Sequence, residues 1–194
     1  MAKSKSMTGI IIALSVLLVL SLTATIALAY FSASRTASTT ITFDSGIVLN
    51  VTGITEDTQN TGVYYWNTDK GSAASVNAGS SPITLEQITV TVTGAPAYVA
   101  VKANINVTGG PDEQPTYGDN WTQVGEWYVY AEGGEKLAVS TSEVAVNAKT
   151  IGTPQTMNSY AGASYNCTLN VQASDTLAGL AELTGEAGIA ALGA

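Results

Sequence analysis

The feature that most restricts what this chain can fold into is a two-residue alternation of apolar and polar side chains that recurs along it. Ile88, Val90 and Val92 alternate with Thr89, Thr91 and Thr93, and Val99, Val101, Ala103, Ile105 and Val107 alternate with Lys102, Asn104 and Asn106. Near the C-terminus Tyr165, Cys167, Leu169 and Val171 oppose Asn166, Thr168 and Asn170. A period of two puts successive side chains on opposite faces of an extended strand, so each segment reads as a half-buried β-strand and none as a helix. Residues 39–43 alternate in the same way, Gly46 interrupts, and Ile47, Leu49 and Val51 resume, which reads as one bent or bulged strand. Residues 83–93 and 98–107, joined by Gly94-Ala95-Pro96, read as a long antiparallel hairpin. Residues 126–130 form a short aromatic strand with Trp127 and Val129 on one side and Tyr128 and Tyr130 on the other, and 136–139 with 143–146 make a weaker hairpin. About seven short strands separated by Gly and Pro predict an all-β fold, an antiparallel β-sandwich or jelly roll. An apolar leader helix precedes it and a short helix follows, with Asp175 as the expected N-cap and Leu177, Leu180 and Leu183 three residues apart. No domain boundary or repeat interrupts the stretch.

Missing residue types exclude whole classes of chemistry. The chain contains no histidine, which removes imidazole-based Ser-His-Asp and Cys-His nucleophile activation and the HExxH zinc proteases. Its single cysteine, Cys167, leaves no intrachain disulfide or CxxC pair, and its place among Tyr165, Leu169 and Val171 reads as a buried, inert thiol. No GxSxG, SxxK or GxxxxGK[ST] occurs. Charged residues make up 11% of the chain, under half the roughly 25% of an average soluble domain. The formal charge is −8, and losing Lys3 and Lys5 with the leader takes it to −10. Nucleic acid is therefore not an expected partner, because counterion release needs a basic face. The expected reading is a non-enzymatic protein without cofactor or metal.

Lys3 and Lys5 precede an uncharged stretch whose apolar heart, residues 10–22, is followed by Ala27-Leu28-Ala29. That is the order of a secretory signal: basic, apolar, then A-x-A. Cleavage after Ala29 makes residues 1–29 the signal peptide and releases residues 30–194 as one domain starting at Tyr30. Two alternatives stay open. The apolar run is long enough to remain as a membrane anchor, and a cut near Gly9 would leave a pilin-like helix. All three export the domain, with membrane contact only through the leader.

Several further motifs are weak. Residues 72–81 and 109–118 are small, polar and turn-rich and read as surface loops. Asp112, Glu113 and Asp119 share one loop, and Asn67-x-Asp69-x-Gly71 resembles the start of a calcium loop. Lys70 intrudes there, Ser72 replaces the turn glycine and Ala78 stands where a bidentate Glu is needed, so solvated turns are the plainer reading. Tyr64, Tyr65, Trp66, Trp121, Trp127, Tyr128 and Tyr130 would suit a sugar-stacking platform, although alternation sends part of that set into the core. Four N-x-T sequons, at Asn50, Asn106, Asn120 and Asn166, are candidate glycan acceptors in an exported protein.

Residues 28–32 (Leu-Ala-Tyr-Phe-Ser), Arg35-Thr36-Ala37 and residues 41–49 (Ile-Thr-Phe-Asp-Ser-Gly-Ile-Val-Leu) resemble the start of TasA/camelysin-type secreted proteins. These carry a SipW-type leader ending in A-Y-F and then a T-F-x-x-G turn. Residues 88–92 leading to 98–102, the aromatic strand 127–130 and Val171-Gln172-Ala173 extend the likeness in the same order, through short degenerate motifs. The resemblance implies an exported jelly-roll domain that, in the TasA branch and its archaeal bundling-pilus relatives, polymerises into extracellular fibres, alone or with other matrix or pilus proteins. The camelysin branch is associated with metal-dependent proteolysis, which a chain lacking histidine cannot inherit. The expected function is thus a structural subunit of a cell-surface fibre or biofilm matrix. Its neighbour would receive the strand 39–51, with Ile41, Phe43, Ile47, Leu49 and Val51 filling pockets and ladder hydrogen bonds giving affinity. Burying four of these, Ile41, Phe43, Ile47 and Leu49, supplies roughly 6 to 12 kcal/mol gross. Two other readings remain: the same strand pairs within its own sheet, or the chain is a monomeric secreted module that binds glycan or protein through exposed tyrosines and Trp121.

Overall fold

Two antiparallel sheets carry the fold, and the alternation explains which side chains they bury. The computed structural model describes residues 38–43, 46–56, 64–66, 74–75, 82–130, 135–153 and 156–193. The leader, the cleavage residues Ala27, Ala29 and Tyr30, and the Asn67-x-Asp69-x-Gly71 motif lie outside them. The described residues belong to one unit, Thr36–Ala194.

In the first sheet β1 (Ser38–Thr42), β2 (Val48–Thr52), β7 (Ile88–Val92) and β11 (Ser142–Val146) lie in that order. In the second the order is β3 (Ile54–Glu56), β4 (Tyr64–Trp66), β13 (Ser164–Ser174), β8 (Tyr98–Thr108), β10 (Trp127–Tyr130) and β9 (Trp121–Val124), with β5 (Ala74–Ser75) also on β13. Strands β6 (Ile83–Leu85) and β12 (Lys149–Ile151) pair with each other. Ile83↔Ile151 and Ile88↔Val146 lie on one register, so β6–β7 and β11–β12 form one interrupted ladder. At the interruption Trp66 donates Nε1–H to the Glu86 carbonyl at 2.6 Å, and the Thr116 carbonyl accepts from Asn147 N–H at 2.8 Å. Other parts of the molecule thus hold backbone groups there that the ladder leaves open.

Residues 39–51 do not make one bent strand. They fold back as the hairpin β1–β2, with Ile41 opposite Leu49 and Phe43 N–H bonded to the Ile47 carbonyl at 2.9 Å. Gly46 supplies the left-handed turn conformation, at φ +74°. A second correction concerns residues 83–93 and 98–107, which do not pair as a hairpin. At Gly94-Ala95-Pro96 the chain passes from the first sheet to the second, and β7 and β8 contribute to one core from opposite sheets. Gly94 permits this because a Cβ there would sit 2.3 Å from the Gly46 carbonyl oxygen. The expected hairpin of 136–139 with 143–146 is also absent: Leu137 bridges Ala97, and β11 pairs with β7.

One buried cluster draws on both sheets, including Leu49, Val51, Ile88 and Val90 from the first and Val99, Val101, Leu169 and Val171 from the second. The outer face of the second sheet is covered at one end by helix α1 (Leu177–Thr184) and the 3-10 turn Ala187–Ala191. Leu180 and Ile189 pack there on Ala100, Trp127 and Val129. The N-cap of α1 is Thr176 and not Asp175; its side chain accepts the Gly179 N–H at 3.0 Å, and Gly185 ends the helix at φ +74°. Among the described residues no helix is long and apolar enough to cross a membrane.

Candidate functional site

Strand β8 has two flanks of very different character. Toward β13 it pairs along all eleven residues, from Tyr98↔Ser174 to Thr108↔Ser164. Toward β10, among the described residues, Val101↔Tyr128 and Ala100↔Val129 are paired. The reason is local. A two-residue turn at Gly125-Glu126, with positive φ at the glycine alone as in a type II′ turn, reverses the chain from β9 into β10 just where pairing with Ala103 would begin. Glu126 pairs with Lys102 beside this point, and the Glu186 carboxylate lies against Gly125.

At Ala103 a side chain takes the missing strand's place. The Tyr117 hydroxyl accepts the Ala103 N–H at 3.0 Å and donates to the Ala103 carbonyl at 3.3 Å. Its ring stacks on Tyr128 with centroids 3.4 Å apart, and its own carbonyl accepts from Asn147 Nδ2 at 2.9 Å. Burial, the largest cause, pushes the Tyr117 phenol above its ordinary value, so the hydroxyl stays protonated and able to donate. Both backbone groups of Ala103 therefore point away from β13, and by strand alternation those of Ile105 and Val107 do too. Neither has a backbone partner on that side among the described residues. Ile105 is buried and Val107 half-buried, facing the common core, so this is an apolar strand flank with unused ladder groups. In the sequence its one trace is a lone aromatic, Tyr117, near the end of the polar loop 109–118.

The ends of the first sheet differ as well. On β11 a bulge at Ala145, the bridge Tyr117↔Val146 and the Gly118 N–H to Ala145 carbonyl bond at 3.3 Å blunt the edge. Among the described residues strand β1 has none of these devices. Since Phe43 bonds inward to Ile47, Thr39 and Ile41 also bond inward and Ser38, Thr40 and Thr42 direct backbone groups outward. Their side chains are exposed, uncharged hydroxyls. Such an edge accepts or becomes a strand of another sheet unless something covers it.

The expected assembly residues occupy graded positions. Ile47, Leu49 and Val51 are fully buried at home, Ile41 is 8% exposed and Phe43 half-buried at the rim. The sequon residues separate likewise. Asn106 and Asn166 are exposed, whereas half-buried Asn50 accepts a hydrogen bond from the Ser38 hydroxyl and half-buried Asn120 donates to Glu143 Oε2 at 3.2 Å.

The aromatic platform is corrected. Tyr64, Trp66, Trp121, Trp127 and Tyr130 are all buried: Trp121 meets Tyr130 edge-on at 5.8 Å in the main core, and Trp127 lies under α1. Tyr65 and Tyr128 are half-buried, and Tyr128 is roofed by Tyr117. Glu113 holds Lys149 at 2.9 Å and accepts the Tyr160 hydroxyl at 2.9 Å, fixing its loop. Among the described residues no three His, Cys, Asp or Glu side chains converge as a metal site. Cys167 packs on the core, and burial pushes its thiol up to about 11.

Comparison with protein-family models, with curated proteins and with solved structures finds no match to this chain.

Proposed function

We propose that this chain is an exported structural subunit of a cell-surface fibre or biofilm matrix, a β-sandwich of jelly-roll type that joins head to tail by strand donation. The N-terminal strand, with Ile41 and Phe43 on its apolar face, enters the open flank of β8 in the next copy and pairs with Ile105 and Val107. The observation that carries this reading is that β8 is laddered along its β13 side, while on the other side Ile105 and Val107 have no backbone partner among the described residues. The first described strand, uncharged and terminal in its sheet, has the alternation that such a flank requires. Leu49 and Val51, fully buried in the chain's own core, act as the anchor that stays behind. Donor and acceptor are different surfaces, so the contact is head to tail and need not close, and where it does not close it propagates as a filament. Ile41 and Phe43 would each contribute about 1.5–3 kcal/mol gross on full burial, and each ladder bond about 0.5–1.5 kcal/mol net.

The rival reading of a monomeric binding module loses Trp121 from its contact face, since that ring is buried. Negative-stain microscopy and size-exclusion of residues 30–194 test the proposal. Filaments are expected, and they disappear when residues 30–42 are removed. A chain that stays monomeric at high concentration, or filaments that survive the truncation, would overturn it.

A further inference from the structure

Four sequons share the N-x-T motif, and the fold sorts them into two kinds. Asn50 and Asn120 are half-buried and hydrogen-bonded to Ser38 and Glu143. Asn106 and Asn166 are exposed, and neither carboxamide has a hydrogen-bond partner among the described residues. They also stand directly opposite each other, on β8 and β13. Because the Ala103 backbone groups point away from β13, Asn106 and Asn166 form a hydrogen-bonded pair of the antiparallel ladder, with Cα atoms about 5.5 Å apart. Both side chains leave the outer face of the second sheet, beyond the end that α1 covers. Thr108 and Thr168, the sequon threonines, share that face, as residues two apart in a strand must.

We infer that Asn106 and Asn166 together form one glycan attachment point that carries a single N-linked chain, on either residue but never on both. In the transfer the carboxamide Nδ2 forms a bond to the anomeric carbon of a lipid-phosphate-linked sugar donor. The bond from that carbon to the lipid phosphate breaks, and the amide loses one proton. A sugar ring attached to either Asn spreads over the adjacent Cβ position, only about 5 Å away, and occupies the space a second ring would need. Transfer takes place on the folded domain, once the ladder has closed and set the two residues side by side. The folded face accommodates the product because nothing described lies above it. At Asn120 the sugar would instead displace the Nδ2 hydrogen bond to Glu143, and at Asn50 it would have to fit a half-buried carboxamide already held by the Ser38 hydroxyl.

The test is intact-mass and glycopeptide analysis of the full chain exported by a host with N-glycosylation machinery, alongside a reporter with one sequon in a flexible loop. With the reporter modified, the expected product carries one glycan, divided between peptides containing Asn106 and Asn166. Asn106→Gln moves all occupancy to Asn166, Asn166→Gln does the reverse, and the double variant loses the added mass. Chains modified at both residues overturn the inference, as do glycans confined to Asn50 or Asn120, or an unmodified chain beside a modified reporter. Filament formation is read separately, so failure here leaves strand donation to its own test.

Discussion

The two flanks of β8 have the same residues, the same burial and the same core behind them, and they differ only in what lies alongside. On the β13 flank eleven consecutive pairs satisfy every alternate backbone group. On the other flank, among the described residues, two pairs and one tyrosine hydroxyl do so, and the groups of Ile105 and Val107 are left over. Unpaired ladder groups beside an apolar core face are costly to leave dry and invite a strand. The contrast teaches that an assembly site in a β-protein need not be a distinctive surface residue; it can be the absence of a neighbour along part of a strand.

Proline substitution on adjacent residues is the sharpest way to break this contrast. Asn106 N–H points into the β13 ladder, so Asn106→Pro removes a central bond and orphans the Asn166 carbonyl. It should cost about 3 kcal/mol or more, or prevent folding. Val107 N–H points to the open flank, where proline is tolerated. Val107→Pro should lower stability by only about 1–2 kcal/mol, from lost packing, while abolishing filaments. Thermal melts and microscopy read both. Equal destabilisation by the two prolines would show that the flanks are equivalent and remove the acceptor.

Which parts of this were legible in the sequence follows from what periodicity encodes. Alternation specifies faces: it placed Val99 to Val107 and Tyr165 to Val171 on buried faces, and it split Trp127 and Val129 from Tyr128 and Tyr130. It does not specify neighbours. Ile88–Val92 pairs with β2 and β11, and not with the segment that follows it across Gly94-Ala95-Pro96, because the two apolar faces meet across the core instead of lying side by side. For residues 39–51 the apolar positions are those expected, but the reversal at Gly46 changes a strand into a hairpin. The open flank was out of reach because it depends on how far β10 extends along β8, a long-range length match that no local pattern records.

A smaller effect sharpens the comparison at the boundary between the paired and open parts of the flank. If the Tyr117 hydroxyl substitutes for a strand at Ala103, Tyr117→Phe keeps the stack on Tyr128 but leaves both Ala103 groups without a partner. The expected loss is about 1–3 kcal/mol, with faster hydrogen exchange at the Ala103 amide and unchanged exchange at Asn104, which bonds toward β13. Slow exchange at Ala103 in the variant would mean that something else already covers the flank.

The smallest effect lies on the laddered side, at Tyr165, whose buried hydroxyl has no hydrogen-bond partner. Burial first, then the neighbouring Tyr160, Glu113 and Cys167, push its phenol up to about 12, and burial alone pushes the Cys167 thiol up to about 11. Both groups are neutral in the fold at pH values where the unfolded chain has begun to ionise, from ordinary values of 9.0 for the thiol and 10.0 for the phenol. Their contribution is therefore whole below about pH 9 and is lost as pH rises, through about 11 for Cys167 and about 12 for Tyr165. Tyr165→Phe removes a hydroxyl that bonds to nothing and leaves the ring packed against Tyr160. At pH 7 the melting temperature should stay level or rise slightly, because no hydrogen bond is lost. Between pH 10 and 12 the variant should lose less stability than the parent, while the earlier decline due to Cys167 persists. A clear loss of stability at pH 7 would mean that the hydroxyl has a partner and that this flank, too, depends on a side chain.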